Sequence, residues 1–266
     1  IKGKTSLKKY ILSICCLFLI GGLAANNIEV SNVSLTGQNA GAGTTQIKFD
    51  LNWENSWRIS VGPSNYDAAW VFAKYRVNGN TWRHCTLSAT GQVAAAGSSV
   101  EVQDNIGAFV YRDADGAGDV NFTNLELRWE YDNDGVDASA VVDIQVFAIE
   151  MVYVPEGEFS VGTNAFDQAN LIGNFYSPSQ PPFILRFPYR VEDEGAITVA
   201  NTAGNLYYAV SEGEPGDQLG PIPANFPKGF AAFYCMKYET TQDQWVSFFN
   251  TLSDAQKTAV DVTGIE

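Results

Sequence analysis

The sequence predicts a mainly β protein: an antiparallel β-sandwich followed by a smaller mixed α/β part. Three observations lead to this prediction. Between residues 27 and 149, apolar and polar residues alternate with a period of two, which is the period of a strand with one buried face. Clusters of Gly, Asn and Asp separate the alternating runs, as turns do. After residue 150 the pattern changes, and a strand leads into a capped helix near residue 241.

The strands of the first region are predicted from this alternation. The inward-facing apolar sets are Ile47, Phe49, Leu51 and Trp53 in QIKFDLNWE, and Leu125, Leu127, Trp129 and Tyr131 in LELRWEY. Residues 70–77 and 140–149 add two strands with less regular alternation. About six to eight short strands in about 120 residues, separated by turns, are typical of a β-sandwich, which we place at 27–149.

The N-terminus has the composition of a secretory signal peptide, residues 1–25. Four lysines precede an apolar run at 10–20, and small residues follow it, so cleavage is expected after Ala24 or Ala25. The run is short for a membrane span, although an uncleaved anchor remains an alternative. We therefore expect a secreted, periplasmic or cell-surface protein with no stable membrane span after signal cleavage. Because the first residue is Ile, we expect a fragment of a longer reading frame.

Charge and cysteine content narrow the classes of function. The 266 residues carry a net charge of −14, which argues against nucleic acid as a partner because nucleic acid needs a basic surface. Of the four cysteines, Cys85 and Cys235 would remain after signal cleavage. Two cysteines make neither a disulfide framework nor a zinc site. They can pair, but we expect two separate buried thiols.

Two acidic turns raise the question of calcium. RDADGAGD (112–119) carries three aspartates, and DNDGVD (132–137) is similar. An EF-hand loop would need further ligands where this chain has Ala117 and Asn124, so that motif fails. Asp-Gly is also an ordinary hairpin signal, and a plain turn is the favoured interpretation, with calcium as the alternative.

Aromatic residues and the single histidine give no catalytic constellation. Trp53 and Trp129 lie in the apolar register of their strands and are expected in the core, whereas Trp57 and Trp82 are less constrained and leave a sugar-stacking platform as an alternative. His84 has no suitably placed Ser or acid for a triad. No catalytic, cofactor-binding or metal-ligating residue is therefore assigned.

The segment EMVYVPEGEFSVGT (150–163) predicts a β-hairpin, with a strand at 151–154, a Pro-Glu-Gly turn and a second strand through 159–161. Farther along, FYCMKYETTQDQWVSFFNTL (233–252) predicts a strand followed by a helix. In order, the two segments resemble landmarks of the formylglycine-generating enzyme family, also called sulfatase-modifying factor domains. The resemblance implies that 150–266 is the N-terminal part of such a domain, truncated, with an incomplete C-type-lectin-like fold.

The helix of the second segment also follows from the residues themselves. Thr241 with Gln244 forms a capping box, and Ser253 with Gln256 starts a second short helix in the same way. An apolar stripe with helical spacing follows the first cap: Trp245, Phe248, Phe249 and Leu252.

The resemblance also bears on activity. The family's two catalytic cysteines lie in a closing segment that this sequence lacks, and Cys235 matches neither of them, so we expect it to be a small buried side chain. The copper-dependent oxidation of the family enzyme therefore cannot be assigned to any residue present, and whether this chain is an enzyme stays open, with a role without catalysis favoured. We expect an exported binding or scaffold protein whose partner is a protein or glycan surface. Two alternatives remain open: the N-terminal half of a formylglycine-generating oxidase acting on a sulfatase cysteine, and a carbohydrate- or surface-binding protein.

Overall fold

The computed structural model describes residues 27–162, 175–178, 186–211, 214–215 and 220–260. The signal peptide expected at 1–25 lies outside these residues. The fold is mainly β, as predicted, with a large curled antiparallel sheet. The described residues divide into two compact units: the first comprises those within 27–57, 68–151 and 236–260, and the second those within 58–67 and 152–235.

Nine strands of the described chain form the large sheet. They are β1 (Glu29–Asn39), β2 (Thr44–Arg58), β3 (Tyr66–Val77), β4 (Arg83–His84), β5 (Ser98–Gln103), β6 (Gly107–Arg112), β7 (Gly116–Trp129), β8 (Val142–Val154) and β15 (Phe233–Met236). The main path runs β1-β2-β3-β6-β5; β7 pairs with β2, β4 and β8 pair with β3, and β15 pairs with β8. The sheet therefore branches at β2 and β3.

The core of the first unit lies between these branches. The inward-facing sets predicted on β2 and β7 are buried, and they pack with buried residues of β3, β6 and β8 in one cluster. Trp53 meets Phe122 edge to face at 5.5 Å, and Tyr75 of β3 lies 4.8 Å from the Trp129 ring of β7. Because each fully buried large apolar side chain stabilises the fold by about 1.5–3 kcal/mol, the alternating pattern itself fixes which face of each strand turns inward.

One glycine shows how tightly two of the turns approach. Gly43, between β1 and β2, has a φ of +64°, and a Cβ at this position would overlap the Asp132 side chain. The Asp132 N–H donates to the Gly43 carbonyl at 3.2 Å. The turn TGQNAGAG is therefore held against the acidic turn 132–137.

The second unit contains shorter strands. They are β9 (Phe159–Val161), β10 (Phe175–Pro178), β11 (Arg186–Phe187), β12 (Tyr189–Val191), β13 (Tyr207–Ser211) and β14 (Glu214–Pro215). β9 pairs with β12, and the other four form a sheet in the order β11-β10-β13-β14. A small cluster of Val191, Ile197 and Leu206 is buried in this unit.

The hairpin predicted at 150–163 is wrong. β8 continues to Val154, but β9 pairs with β12 rather than with β8. The partner of β9 lies far along the chain, with Val161 opposite Tyr189 and Phe159 opposite Val191. The turn before β9 is also bonded to a distant segment, since the Gly157 N–H donates to the carbonyl of Phe230 at 3.0 Å.

Both predicted helices are present and capped as expected. α1 (Gln242–Phe249) starts at Thr241 and α2 (Asp254–Ala259) starts at Ser253, each with a complete capping box. Neither helix in the described part of the chain has the length and apolarity needed to cross a bilayer. The domain boundary expected at 150 stays a prediction; one junction of the observed division falls between Met151 and Val152, and the helices belong to the first unit.

The cysteine prediction is half right. Cys85 is a buried free thiol in the core of the first unit, and burial raises its pKa well above the ordinary value. Cys235 is a free thiol that is exposed, so the expectation of a buried side chain was wrong. Among the described strands, β15 pairs only with β8, and three of its four residues are exposed.

Candidate functional site

Within the first unit, Glu150 at the start of one of the two segments that suggested a family lies against Lys237 of the other. The Lys237 N–H donates to the Glu150 carbonyl at 2.9 Å, and the Lys237 ammonium forms an ion pair with the Glu150 carboxylate, also at 2.9 Å. Both side chains are withdrawn from water, with exposed fractions of 9% for Lys237 and 2% for Glu150. Lys237 Nζ also lies 5.1 Å from the Trp57 ring centre, a distance at which a cation is attracted to the ring face. This pair fixes the chain shortly before α1 begins.

Helix α1 is seated on the sheet by an aromatic cluster. Phe72 and Phe147 stack with ring centres 5.0 Å apart, and Phe248 meets both rings edge to face at 6.2 and 6.1 Å. Such edge-to-face pairs are favourable beyond the area that they bury. Phe248 is therefore the apolar anchor of the helix.

A buried lysine holds the end of the same helix. Lys74, which is 3% exposed, donates from Nζ to the Thr251 carbonyl and to the Thr251 hydroxyl, each at 2.9 Å. Its ammonium also lies 5.2 Å from the Phe248 ring centre. Burial lowers the pKa of Lys74, because a charged ammonium loses its hydration there.

Between α1 and the sheet lies an open groove of about 520 Å³. Its walls come from β1, β3, β8 and α1, and most of the lining surface is apolar. The principal side chains of the wall are Ile28, Val30, Phe72, Phe147, Trp245 and Phe248. A volume of this size is within the range of about 300–1,000 Å³ that is usual for ligand pockets.

The groove is lined for apolar contact rather than for proton transfer. Among the described residues that line it, Asp243 is the only ionisable one. The other polar lining groups are amides and hydroxyls, including those of Gln145 and Thr240. The arrangement can therefore bury apolar groups and orient them with a few hydrogen bonds.

The apolar stripe predicted on α1 is only partly covered by the sheet. Trp245 is 45% exposed at the groove, and the neighbouring Val246 is 53% exposed. The Trp245 ring is tilted against those of Phe248 and Phe249, with ring centres 6.3 and 6.2 Å apart. The stripe was a correct signal of an apolar face, but it does not tell how much of that face the sheet covers.

The other tryptophans named from the sequence lie elsewhere. Trp53 and Trp129 are buried in the core, as expected. Trp57 is half-buried beside Lys237, and Trp82 is half-buried beneath the Arg76 guanidinium, which lies 4.8 Å from its ring centre. The structure does not bring Trp57 and Trp82 into the groove.

The acidic turns make hydrogen bonds within the protein. Asp119 accepts from the Asn55 N–H at 3.0 Å, and Asp134 accepts from Thr86 and Trp129. Among the described residues, no three His, Cys, Asp or Glu side chains are grouped so that they can hold a metal ion.

His84 lies beside Phe72, with ring centres 5.7 Å apart.

No family model matches this chain, no curated protein matches it, and no solved structure matches it. The resemblance of 150–163 and 233–252 to sulfatase-modifying factor domains therefore stays a prediction that rests on those residues alone.

Proposed function

We propose that this chain is a binding protein that takes apolar side chains of a protein partner into the groove between α1 and the sheet. The observation that carries the proposal is the groove itself: about 520 Å³ in volume, walled by aromatic and aliphatic side chains, with Trp245 half-exposed at its rim. Tryptophan is among the residues most enriched at protein interfaces.

The energetics favour occupancy by apolar groups. Trp245 is 45% exposed. Covering the rest of a side chain of this size removes about 100 Å² of mostly apolar surface from water, which is worth about 2–3 kcal/mol. A partner that covers Trp245 and fills the groove therefore gains the contribution of a binding hot spot from one residue.

The charge of the molecule indicates what surrounds the apolar anchor on the partner. The chain has a net charge of −14, and the one ionisable side chain of the described groove lining is Asp243. Complementary charge speeds association and selects among partners. The proposed partner segment therefore carries apolar side chains flanked by Lys or Arg.

The scaffold part of the proposal follows from the resemblance to sulfatase-modifying factor domains, a family in which many members look like binding or scaffold proteins. What supports it is the contact between the two segments that carry the resemblance. Glu150 and Lys237 are 87 positions apart, yet they form a backbone hydrogen bond and a withdrawn ion pair. This contact joins one end of each segment in the folded chain.

The groove is tested with a neutral apolar probe, N-phenyl-1-naphthylamine, whose fluorescence rises when it leaves water. We expect saturable binding to the protein and a loss of about tenfold in affinity for Trp245→Ala, because the groove loses its half-exposed indole ring. Trp82→Ala, an equal change at a half-buried site outside the lining, is the matched control. Equal affinity of both variants and the parent protein would rule out the groove as the binding site.

A further inference from the structure

A second cavity in the first unit differs in character from the groove. Its volume is about 440 Å³, and it lies where β3, β4 and the acidic turn 132–137 meet. Its lining is mostly polar and includes Tyr75, Asn80, Thr81, Arg83, Asp134 and Gly135. The groove lining shares none of these residues.

Arg83 is the cation of this cavity. The register of β3 and β4 pairs Arg83 with Tyr75, and both residues line the cavity. Among the described residues, no Asp or Glu lies within ion-pairing distance of Arg83. The neighbouring Arg76, by contrast, is paired with Asp143 at 2.7 Å.

Asp134, the acid of the cavity lining, is already bonded within the protein. Its carboxylate accepts from the Thr86 N–H at 3.0 Å, from the Thr86 hydroxyl at 2.6 Å and from the Trp129 indole N–H at 2.6 Å. Its main-chain carbonyl accepts from the Tyr75 hydroxyl at 3.3 Å. These bonds fix the Asp134 carboxylate on interior donors, and they leave the Arg83 guanidinium without a carboxylate partner.

We propose that this cavity binds a carboxylate carried on a hydroxylated ring, which is the chemistry of an acidic sugar. A guanidinium presents parallel N–H groups that match a carboxylate, and this is the strong form of hydrogen bond between charged groups. Asn80 and Thr81 supply an amide and a hydroxyl on the same wall, suited to the ring hydroxyls. The proposal is independent of the groove.

The acidity of the chain does not prevent such binding. The net charge of −14 repels an anion at long range. At physiological ionic strength this repulsion decays over a Debye length of about 8 Å, whereas a direct guanidinium–carboxylate contact is much shorter. The backbone at Gly135 leaves room for close approach, because a Cβ there would meet no atom within 4 Å.

The test is calorimetric titration of the protein with glucuronate, glucose and acetate. We expect glucuronate to bind about tenfold more tightly than glucose, which lacks the carboxylate, and than acetate, which lacks the ring. Equal affinity for glucose would overturn the role of the carboxylate. Equal affinity for acetate would overturn the role of the ring, and absence of glucuronate binding at millimolar concentration would overturn the proposal entirely.

Two variants with the same loss of charge locate the site. Arg83→Gln is expected to weaken glucuronate binding by about tenfold, because the remaining amide forms no charged pair. Arg76→Gln removes an equal charge from the next strand, outside the cavity, and is expected to leave binding within about twofold of the parent protein. Arg83 is exposed, so thermal unfolding should show both variants folded; parent-like binding by Arg83→Gln contradicts the site.

Discussion

The ion pair between Glu150 and Lys237 allows a quantitative prediction for Lys237→Met. Lys237 Nζ lies 2.9 Å from the carboxylate, and the exposed fractions are 9% for the lysine and 2% for the glutamate. Methionine keeps the unbranched apolar part of the lysine side chain, but the buried Glu150 carboxylate then has no cation beside it. Removing one partner of a buried ion pair typically costs about 3–5 kcal/mol. We expect a loss of that size in the free energy of unfolding.

The double variant Glu150→Gln with Lys237→Met tests the origin of this loss. When both charges are removed, the desolvation cost that opposes a buried pair is removed as well, so we expect recovery of about half or more of the loss. The assay is urea unfolding followed by tryptophan fluorescence, with the midpoint and the slope both compared.

A surface pair serves as the matched control. Arg76 and Asp143 are joined at 2.7 Å, but their side chains are 37% and 54% exposed. Arg76→Met is therefore expected to cost less than about 1 kcal/mol. The reasoning is refuted if Lys237→Met costs no more than Arg76→Met, or if the double variant is as unstable as the sum of its single changes.

Two further predictions concern the first unit. Lys74→Met tests the pH dependence of stability: burial lowers the pKa of Lys74 below 10.5, so between its folded value and 10.5 the unfolded state binds more protons and this lysine makes stability rise with pH. The parent protein's free energy of unfolding minus that of the variant, both from urea unfolding, should therefore increase with pH in that range. A difference that stays constant with pH would contradict the assignment. Gly43→Ala should lower the stability by about 1–3 kcal/mol in the same assay, because the Cβ would overlap Asp132 at positive φ. Gly79→Ala, at φ +73° with open space around it, should cost less, and an equal cost would show that the overlap is unimportant.

Much of the first unit follows from the sequence because local pattern and burial agree there. The alternation in QIKFDLNWE places Ile47, Phe49 and Leu51 on one face of β2, and all three are fully buried. The helix starts at Thr241 and Ser253 are equally local, since each capping box closes within four residues. Such signals need no knowledge of distant contacts.

The failed predictions all depend on contacts between distant segments. β9 pairs with β12, a strand from a distant part of the chain, and no local signal in 150–163 shows that pairing. Cys235 is exposed because, among the described strands, β15 pairs with β8 alone and has no second strand on its other side.

The groove also depends on contacts between distant segments. The stripe on α1 indicates an apolar face of the helix. Whether Trp245 on that face is covered depends on the positions of β1 and β8, which the helix sequence does not encode. The second cavity likewise joins residues from β3, β4 and a turn about fifty positions further along the chain.

The most direct test of the groove as a binding site is a two-dimensional ¹H–¹⁵N spectrum of the protein titrated with N-phenyl-1-naphthylamine. We expect the Trp245 indole N–H and the backbone amides of Ile28 and Val30 to shift together and to saturate together, while the core indole of Trp53 does not shift. The same titration of Trp245→Ala should show the Ile28 and Val30 shifts only at much higher probe concentration. Shifts that spare Trp245 in the parent protein, or Ile28 and Val30 shifts that persist unchanged in Trp245→Ala, would contradict binding in the groove.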